Sequence, residues 1–166
     1  MSKVVYCFTG MPLAGKTTAV RRFAKARGLS TFSTGDFARA RGMGMEDSIR
    51  ERDLSAALDG EITEAALAAA RSGLVLDGFP RSLSQVDALR VAGIKFRVVF
   101  ITENPLIIYD RLRLRSEEQG RPEDVPDVVA GRLKASTAFM FDLQRFLMPG
   151  ELTVLRSPDA AALDSL

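Results

Sequence analysis

A glycine-rich segment near the start of the chain has the residue types and spacing of a phosphate-binding loop. Residues 10–17 read GMPLAGKT, which fits the pattern GxxxxGK[ST], and they lie between an apolar run at 4–8 and a predicted helix at 16–26. In that context backbone N–H groups surround phosphate oxygens, Lys16 reaches the transferred phosphate and Thr17 ligates Mg²⁺. The other interpretation is an ordinary glycine turn. We predict that the phosphates of a nucleotide are bound by Gly10, Pro12, Ala14, Gly15, Lys16, Thr17 and Thr18.

Two aspartates follow short runs that are predicted to be strands. Asp77 comes directly after residues 74–76, which are Leu, Val and Leu, and Asp36 follows the polar residues 33–35. The carboxyl ends of parallel strands meet at one edge of a sheet, where ligands bind. We therefore predict that Thr17, Asp36 and Asp77 hold Mg²⁺, partly through water. The alternative is that Asp77 belongs to a turn and Asp36 caps a helix.

The composition removes several kinds of chemistry. The chain has 166 residues, no histidine and a single cysteine, Cys7. It therefore lacks a Ser-His-Asp triad, an imidazole base and a zinc site built from histidines or several cysteines. Carboxylates, Lys, Arg, hydroxyls and backbone amides must do the chemistry.

The charge balance and the first residues bear on partners and location. A net charge of +2 does not favour a general nucleic-acid or membrane-surface binder. The apolar run near the start is too short for a signal peptide or a membrane span. We expect a cytoplasmic protein.

Alternating apolar runs and helical segments predict one domain with an α/β fold. Strands are predicted at residues 4–8, 31–33, 74–76, 96–101 and 152–155. Helices are predicted at residues 16–26, 36–72 with interruptions near Gly42, Gly44 and Gly60, 82–91, 105–115 and 125–146. Short apolar strands that alternate with helices indicate a parallel five-stranded sheet with helices on both faces.

The order of the motifs resembles the adenylate kinase family of nucleoside monophosphate kinases. The phosphate loop is followed by Thr-Gly-Asp at 34–36, by Asp-Gly-Phe-Pro-Arg at 77–81 and by an arginine cluster. The resemblance covers nearly the whole chain. It implies a P-loop NTPase-type core at 1–35, 73–115 and 125–166, a helical acceptor-binding lobe at about 36–72 and a short lid at about 116–124.

The same resemblance implies how the acceptor nucleotide is bound. Arg39 and Arg81 would clamp its phosphate, and Thr34, Gly35 and Gly78 would lie beside it. Gln85 would hydrogen-bond its base. An amide can donate and accept at once, which matches N1 and the exocyclic amine of adenine, so the expected acceptor is AMP.

Four arginines near the lid resemble the family's phosphate-binding set. Arg111 and Arg115 precede the lid, and Arg121 and Arg132 follow it, whereas Arg113 faces elsewhere and is expected to be solvated. By resemblance Lys16, Arg81, Arg115, Arg121 and Arg132 would be catalytic, and Arg111 would bind the donor ATP. The alternatives are a solvated basic face and a nucleic-acid patch, which the lack of interleaved aromatics disfavours.

The chain departs from the family pattern in two places near the nucleotide. Only five residues separate Arg115 from Arg121, which leaves no room for a zinc-bearing lid. Leu13 occupies a loop position that is often glycine in the family.

These observations predict transfer of the γ-phosphoryl group of ATP, with Mg²⁺ and without zinc, to AMP. Another acceptor such as UMP, CMP or a deoxynucleotide is the nearest alternative. A nucleotide-binding regulator without kinase activity is a second, and a kinase acting on a sugar or other metabolite is a third. The expected partners are small-molecule nucleotides, with no nucleic acid or membrane, and the expected state is a monomer.

Overall fold

A parallel sheet forms the centre of the protein. A computed structural model describes residues 3–41, 56–119, 125–156 and 160–166. The strands are β1 (Val5–Gly10), β2 (Thr31–Ser33), β3 (Val75–Asp77), β4 (Phe96–Thr102) and β5 (Leu152–Arg156). They lie in the order β2-β3-β1-β4-β5, and every pairing is parallel. The predicted five-stranded parallel sheet is confirmed.

Helices cover both faces of this sheet. They are α1 (Lys16–Ala26), α2 (Thr34–Ala40), α3 (Ala56–Arg71), α4 (Leu83–Val91), α5 (Pro105–Gln119), α6 (Pro126–Phe146) and α7 (Ala160–Asp164). Within the described ranges, none of the helices combines the length and the apolar character that crossing a membrane requires.

Successive strand residues divide the core into two layers. On one face Cys7 of β1 and Phe100 of β4 pack with α3, α4 and α6. On the other face Phe8 and Ile101, each one position further along, pack with α1 and α7. The period of two in a strand therefore supplies apolar side chains to both layers, which is why these runs are apolar throughout.

Most predicted boundaries agree with the structure to within one or two residues. Helix α1 and strand β2 have the predicted bounds, whereas β1 begins one residue later and runs to Gly10. Helix α5 continues to Gln119 instead of ending at Arg115, because Ser116–Gln119 includes strong helix formers. The described part of the predicted lid is therefore the last turn of α5.

The predicted interruption of the second helical segment at Gly60 is wrong. Gly60 lies inside α3, where a Cβ would meet nothing within 4 Å. A glycine in a helix interior costs only about 1 kcal/mol relative to alanine. The burial of Ala66, Ala69 and Ala70 against the sheet outweighs that cost. Gly42 and Gly44 lie outside the described residues.

Asp36 does not cap the start of α2, contrary to the alternative considered for this residue. The helix begins at Thr34, and the Ser33 side chain accepts a hydrogen bond from the Asp36 N–H at 3.2 Å. Ser33 is therefore the cap, and Asp36 lies in the first turn, where a negative charge favours the helix dipole.

Gly78, directly after β3, allows the close approach of β3 and α2. Its φ is +83°, and a Cβ would lie 2.5 Å from the Thr34 hydroxyl oxygen. Its N–H donates to the Phe8 carbonyl at 2.8 Å, which ties this turn to β1. Any side chain at this position therefore meets both backbone strain and a collision.

We expect Gly78→Ala to lower the free energy of unfolding by about 2–5 kcal/mol, from strain plus overpacking. Gly73→Ala is the matched control, because Gly73 has a φ of +78° and nothing within 4 Å of a Cβ. Strain alone should cost the control about 1–2 kcal/mol. Urea unfolding measures both, and equal losses would contradict the collision.

Candidate active site

A cleft of about 320 Å³ opens at the carboxyl ends of β1 and β3. This is the edge at which parallel α/β sheets bind ligands. Thirteen predicted site residues line it, namely Pro12, Ala14, Gly15, Lys16, Thr17, Thr18, Gly35, Arg39, Asp77, Gly78, Arg81, Arg115 and Arg132. Met11, Leu13 and Ser33, which were not among the predicted site residues, complete the lining.

The loop between β1 and α1 has the shape that phosphate binding requires. Gly10 ends β1 beside β4, where a Cβ would collide with the Ile101 carbonyl oxygen. Leu13 has a φ of +59° and Gly15 a φ of +83°, and α1 begins directly after Gly15. With these two residues in the left-handed conformation, the loop lies at the N-terminus of α1, the positive end of the helix dipole. The non-glycine residue at 13 is therefore accommodated in the left-handed conformation.

Asp77 connects the end of β3 to the loop. Its carboxylate accepts a hydrogen bond from the Thr17 hydroxyl at 3.1 Å and lies 3.7 Å from the Lys16 ammonium nitrogen. The Asp77 side chain is only 8% exposed. These two contacts tie the end of β3 to the loop and hold the Lys16 side chain beside it.

Thr17 and Asp77 fit Mg²⁺ by the chemistry of their donors. Both offer oxygen atoms, which this hard cation prefers, and they meet beside the loop. In the described part of the chain no three acidic or cysteine side chains cluster as metal ligands. Mg²⁺ does not need such a cluster, because it usually takes one or two protein ligands together with phosphates and water.

The cleft is strongly cationic. The described residues of its lining include five cations, Lys16, Arg39, Arg81, Arg115 and Arg132, and one carboxylate, Asp77. Burial lowers the pKa of Lys16 below its ordinary value of 10.5, Asp77 acts to raise it, and Arg81 and Arg132 act to lower it further. So many like charges in one cleft favour a polyanionic ligand.

Arg81 is fixed by bonds at the turn after β3. Its Nε donates to the Gly78 carbonyl at 2.9 Å, and one terminal nitrogen donates to the Thr34 hydroxyl at 3.4 Å. The Thr34 hydroxyl in turn donates to the Gly78 carbonyl at 3.0 Å. Thr34 is 1% exposed, so it holds this turn rather than facing the cleft.

Three predicted site residues, besides Thr34 and Arg111, lie apart from the cleft lining among the described residues. Gly10 lies at the strand end beneath the loop. The Asp36 carboxylate pairs with Arg39, is 73% exposed and is not brought to Thr17 and Asp77. Gln85 is 2% exposed, and both ends of its amide bond to protein groups. Arg121 lies outside the described residues.

Arg111 faces a second cavity, on the other side of the loop. This cavity has a volume of about 440 Å³ and shares Leu13, Ala14, Gly15 and Thr18 with the first. Ala19, Arg22, Arg111 and Leu163 complete its lining. One Arg111 terminal nitrogen donates to the Leu13 carbonyl at 2.8 Å, which places Arg111 against the loop.

Glu103 is a site residue that the sequence reasoning missed. Its carboxylate is 1% exposed and lies 3.0 Å from Arg111, at the end of β4. The signal was present, because Glu103 follows a buried apolar strand as Asp77 does. Since Arg111 also holds Leu13, the Glu103–Arg111 pair supports the loop from behind.

Removing Arg111 should lower the stability of the protein more than removing the charge of Glu103. Arg111→Met deprives a buried carboxylate of this cation, which should lower the free energy of unfolding by about 2–4 kcal/mol. Glu103→Gln leaves an arginine whose side chain is 39% exposed and can turn to water, so the loss should stay near or below about 1 kcal/mol. Urea unfolding of both variants measures the difference, and a larger loss for Glu103→Gln would contradict it.

Comparisons with known proteins agree with this geometry. A family model described as an AAA domain matches residues 9–130. A protein named adenylate kinase from Caulobacter vibrioides (strain NA1000 / CB15N) is 37% identical over 148 residues, which cover 78% of this chain and 75% of that protein. A protein of the same name from Maricaulis maris (strain MCS10) is 35% identical, and the match covers 75% of this chain and 74% of that protein. Another from Tropheryma whipplei (strain Twist) is 34% identical, and the match covers 77% of this chain and 75% of that protein.

The motif resemblance is thus confirmed by similarity over most of the chain. The structure agrees with that similarity, because it has a parallel sheet with a phosphate loop and a cationic cleft at one edge. The chain belongs to the adenylate kinase family.

Proposed function

We propose that this protein transfers the γ-phosphoryl group of ATP to AMP and so forms two molecules of ADP. One observation carries the proposal. The phosphate loop and the pair Arg39 and Arg81 line the same cleft, so donor and acceptor phosphates would meet inside it. The relatives named adenylate kinase support the same reaction.

The donor ATP would lie along the loop. Its phosphates would bind Lys16, Thr18 and the loop amides, and its nucleoside would enter the neighbouring cavity beside Arg111. Thr17 and Asp77 would hold Mg²⁺, which spreads the charge of the phosphates when it is bound. Asp36 is left out of this proposal because it is paired with Arg39 away from them.

The acceptor phosphate would lie opposite, between Arg39 and Arg81. Gly35 and Gly78 line this part of the cleft and carry no side chain that would take up its space. Thr34 would act through Arg81 and the Gly78 carbonyl, to which its hydroxyl is bonded. Guanidinium groups suit phosphate oxygens because their planar N–H donors match them in pairs.

The reaction needs no general base. The second pKa of a phosphate monoester is about 6, so the acceptor oxygen is already anionic at neutral pH. That oxygen would form the new P–O bond while the bond to the β-phosphate oxygen of ATP breaks. Lys16, Arg81, Arg115 and Arg132, with Arg121 as predicted from the sequence, would stabilise the charge on the transferred group.

The proposal extends to where the protein acts and to its partners. We infer a cytoplasmic monomer whose partners are nucleotides. Cys7 is fully buried in β1, and burial raises the pKa of its thiol, so it is unreactive and serves as a small core residue.

The decisive experiment is ADP formation from ATP and Mg²⁺ with AMP, CMP, UMP, GMP, dAMP and dTMP in turn. We expect AMP to be the best acceptor. Lys16→Ala and Arg81→Ala should each lower turnover by about 100-fold or more, because each removes charge stabilisation from the transferred group. Arg113→Ala is the control, since Arg113 is exposed on α5 and lies outside the cleft lining.

The outcomes separate the competing functions. Activity confined to another monophosphate would keep the mechanism and replace AMP as the acceptor. ATP binding without phosphorylation of any acceptor would contradict the kinase and favour the nucleotide-binding regulator.

A second prediction concerns the pH dependence of nucleotide affinity. Because the pKa of Lys16 is lowered in the free protein and a polyphosphate would raise it again, binding should take up a proton at alkaline pH. The affinity for ADP should therefore fall as the pH rises through the lowered pKa towards 10.5. Calorimetry in buffers of different ionisation enthalpy measures the uptake. Lys16→Arg should lack this slope, since a guanidinium stays protonated there, and an identical slope in both proteins would contradict the assignment.

A further inference from the structure

Leu13 has a backbone conformation that a leucine rarely adopts. Its φ is +59°, and among the described residues it is the one residue other than glycine with a positive φ. A leucine in this region carries backbone strain that a glycine would avoid. Such strain persists where surrounding contacts hold the residue in place, so the contacts of Leu13 show what holds it.

The side chain of Leu13 packs against a small apolar cluster between two helices. This α5–α6 cluster consists of the buried residues Ile108 and Leu112 of α5 and Val129 of α6, and Leu13 is partly buried against it. Met11 of the loop also packs against the cluster, but it contacts both core layers of the sheet as well. Leu13 therefore links the phosphate loop to α5 and α6.

The same two helix faces carry arginines of the cleft. Arg115 lies three positions after Leu112 on α5, and Arg132 lies three positions after Val129 on α6. Residues three apart in a helix share a face. Both arginines line the cleft. The packing of the α5–α6 cluster thus orients the faces that present these two cations.

A second contact joins α5 to the backbone of Leu13. Arg111 donates to the Leu13 carbonyl at 2.8 Å, and Glu103 lies 3.0 Å from Arg111. Helix α5 therefore holds Leu13 by its carbonyl and by its side chain. A substitution at this position removes the side-chain contact and keeps the carbonyl, so the two contacts can be separated.

We propose that Leu13 is a positioning residue for phosphoryl transfer, whose side chain sets Arg115 and Arg132 relative to the loop that carries Lys16. This inference rests on the proposed function and deepens it. The transferred group spreads its charge over three oxygens, so cations from the loop and from both helices must reach it together. A misplacement of about 1 Å can cost about 100-fold in rate.

Three substitutions separate the packing of the side chain from the strain of the backbone. Leu13→Ala keeps the strain and loses the cluster contact, Leu13→Gly loses both, and Leu13→Met keeps both. The single-turnover rate of phosphoryl transfer should fall about 10-fold or more in the Ala and Gly variants, because both lose the positioning contact. It should stay within about 2-fold of wild type in the Met variant, since methionine conserves the apolar volume.

The rate is measured with ATP, Mg²⁺ and the monophosphate that the wild-type protein phosphorylates best. The KM values for ATP and the acceptor should change less than about 3-fold, because the lost interaction acts in the transition state rather than in substrate binding. A merely structural role would instead follow the stability of the fold, which urea unfolding reports. If Leu13→Ala does not fold, Leu13→Gly carries the test without backbone strain.

Leu29→Ala is the matched control. Leu29 is a partly buried leucine of the sheet core, two positions before β2 begins and therefore at the sheet edge opposite the cleft. Its removal should lower the free energy of unfolding and leave the single-turnover rate unchanged.

Each outcome decides the inference. A wild-type rate in Leu13→Gly would overturn it and leave the proposed function intact, because the packing would then be dispensable. A raised KM for ATP at an unchanged rate would overturn it as well. Failure of the wild-type protein to phosphorylate any monophosphate would overturn the proposed function and this inference together.

Discussion

The crowding of like charges around one carboxylate is the constraint on which the rest of the site depends. Where the structure describes the lining, Lys16 and four arginines line the cleft, and Asp77 is the acidic side chain among them. Asp77 faces Lys16 and Thr17 from the end of β3 and offsets part of this positive charge. A polyphosphate would bring negative charge to this cationic lining, so its binding would reduce repulsion among the cations as well as form hydrogen bonds.

The sheet makes this crowding possible by bringing two turns together. Strands β1 and β3 are direct neighbours, with Phe8 beside Asp77, so the loop after one strand faces the turn after the other. Gly10 allows the end of β1 to lie against Ile101 of β4, and Gly78 allows the turn after β3 to lie against Thr34 of α2. The two core layers stabilise the sheet, and the sheet places Asp77 beside the loop. The bonds that Asp77 makes to Lys16 and Thr17 add to this placement.

The sequence predicted the features that are local and missed those that depend on distant contacts. The loop at 10–17, helix α1 and Asp77 at a strand end are each written in consecutive residues, and the structure has all three. The burial of Gln85 depends on a bond to Asp59, 26 positions away, which no spacing rule indicates. The helix continues through Gly60 because tertiary packing outweighs a local preference.

The phosphate loop also lies between two cavities, and Leu13 of this loop contacts both of them. Leu13 lines both cavities, and its left-handed backbone directs its carbonyl to Arg111, which is paired with buried Glu103. The contact from Arg111 to the Leu13 carbonyl therefore connects the second cavity to the loop that lines the cleft. Because the carbonyl of Leu13 and the neighbouring amides belong to one turn, the Glu103–Arg111 pair supports the loop along which the donor phosphates would lie.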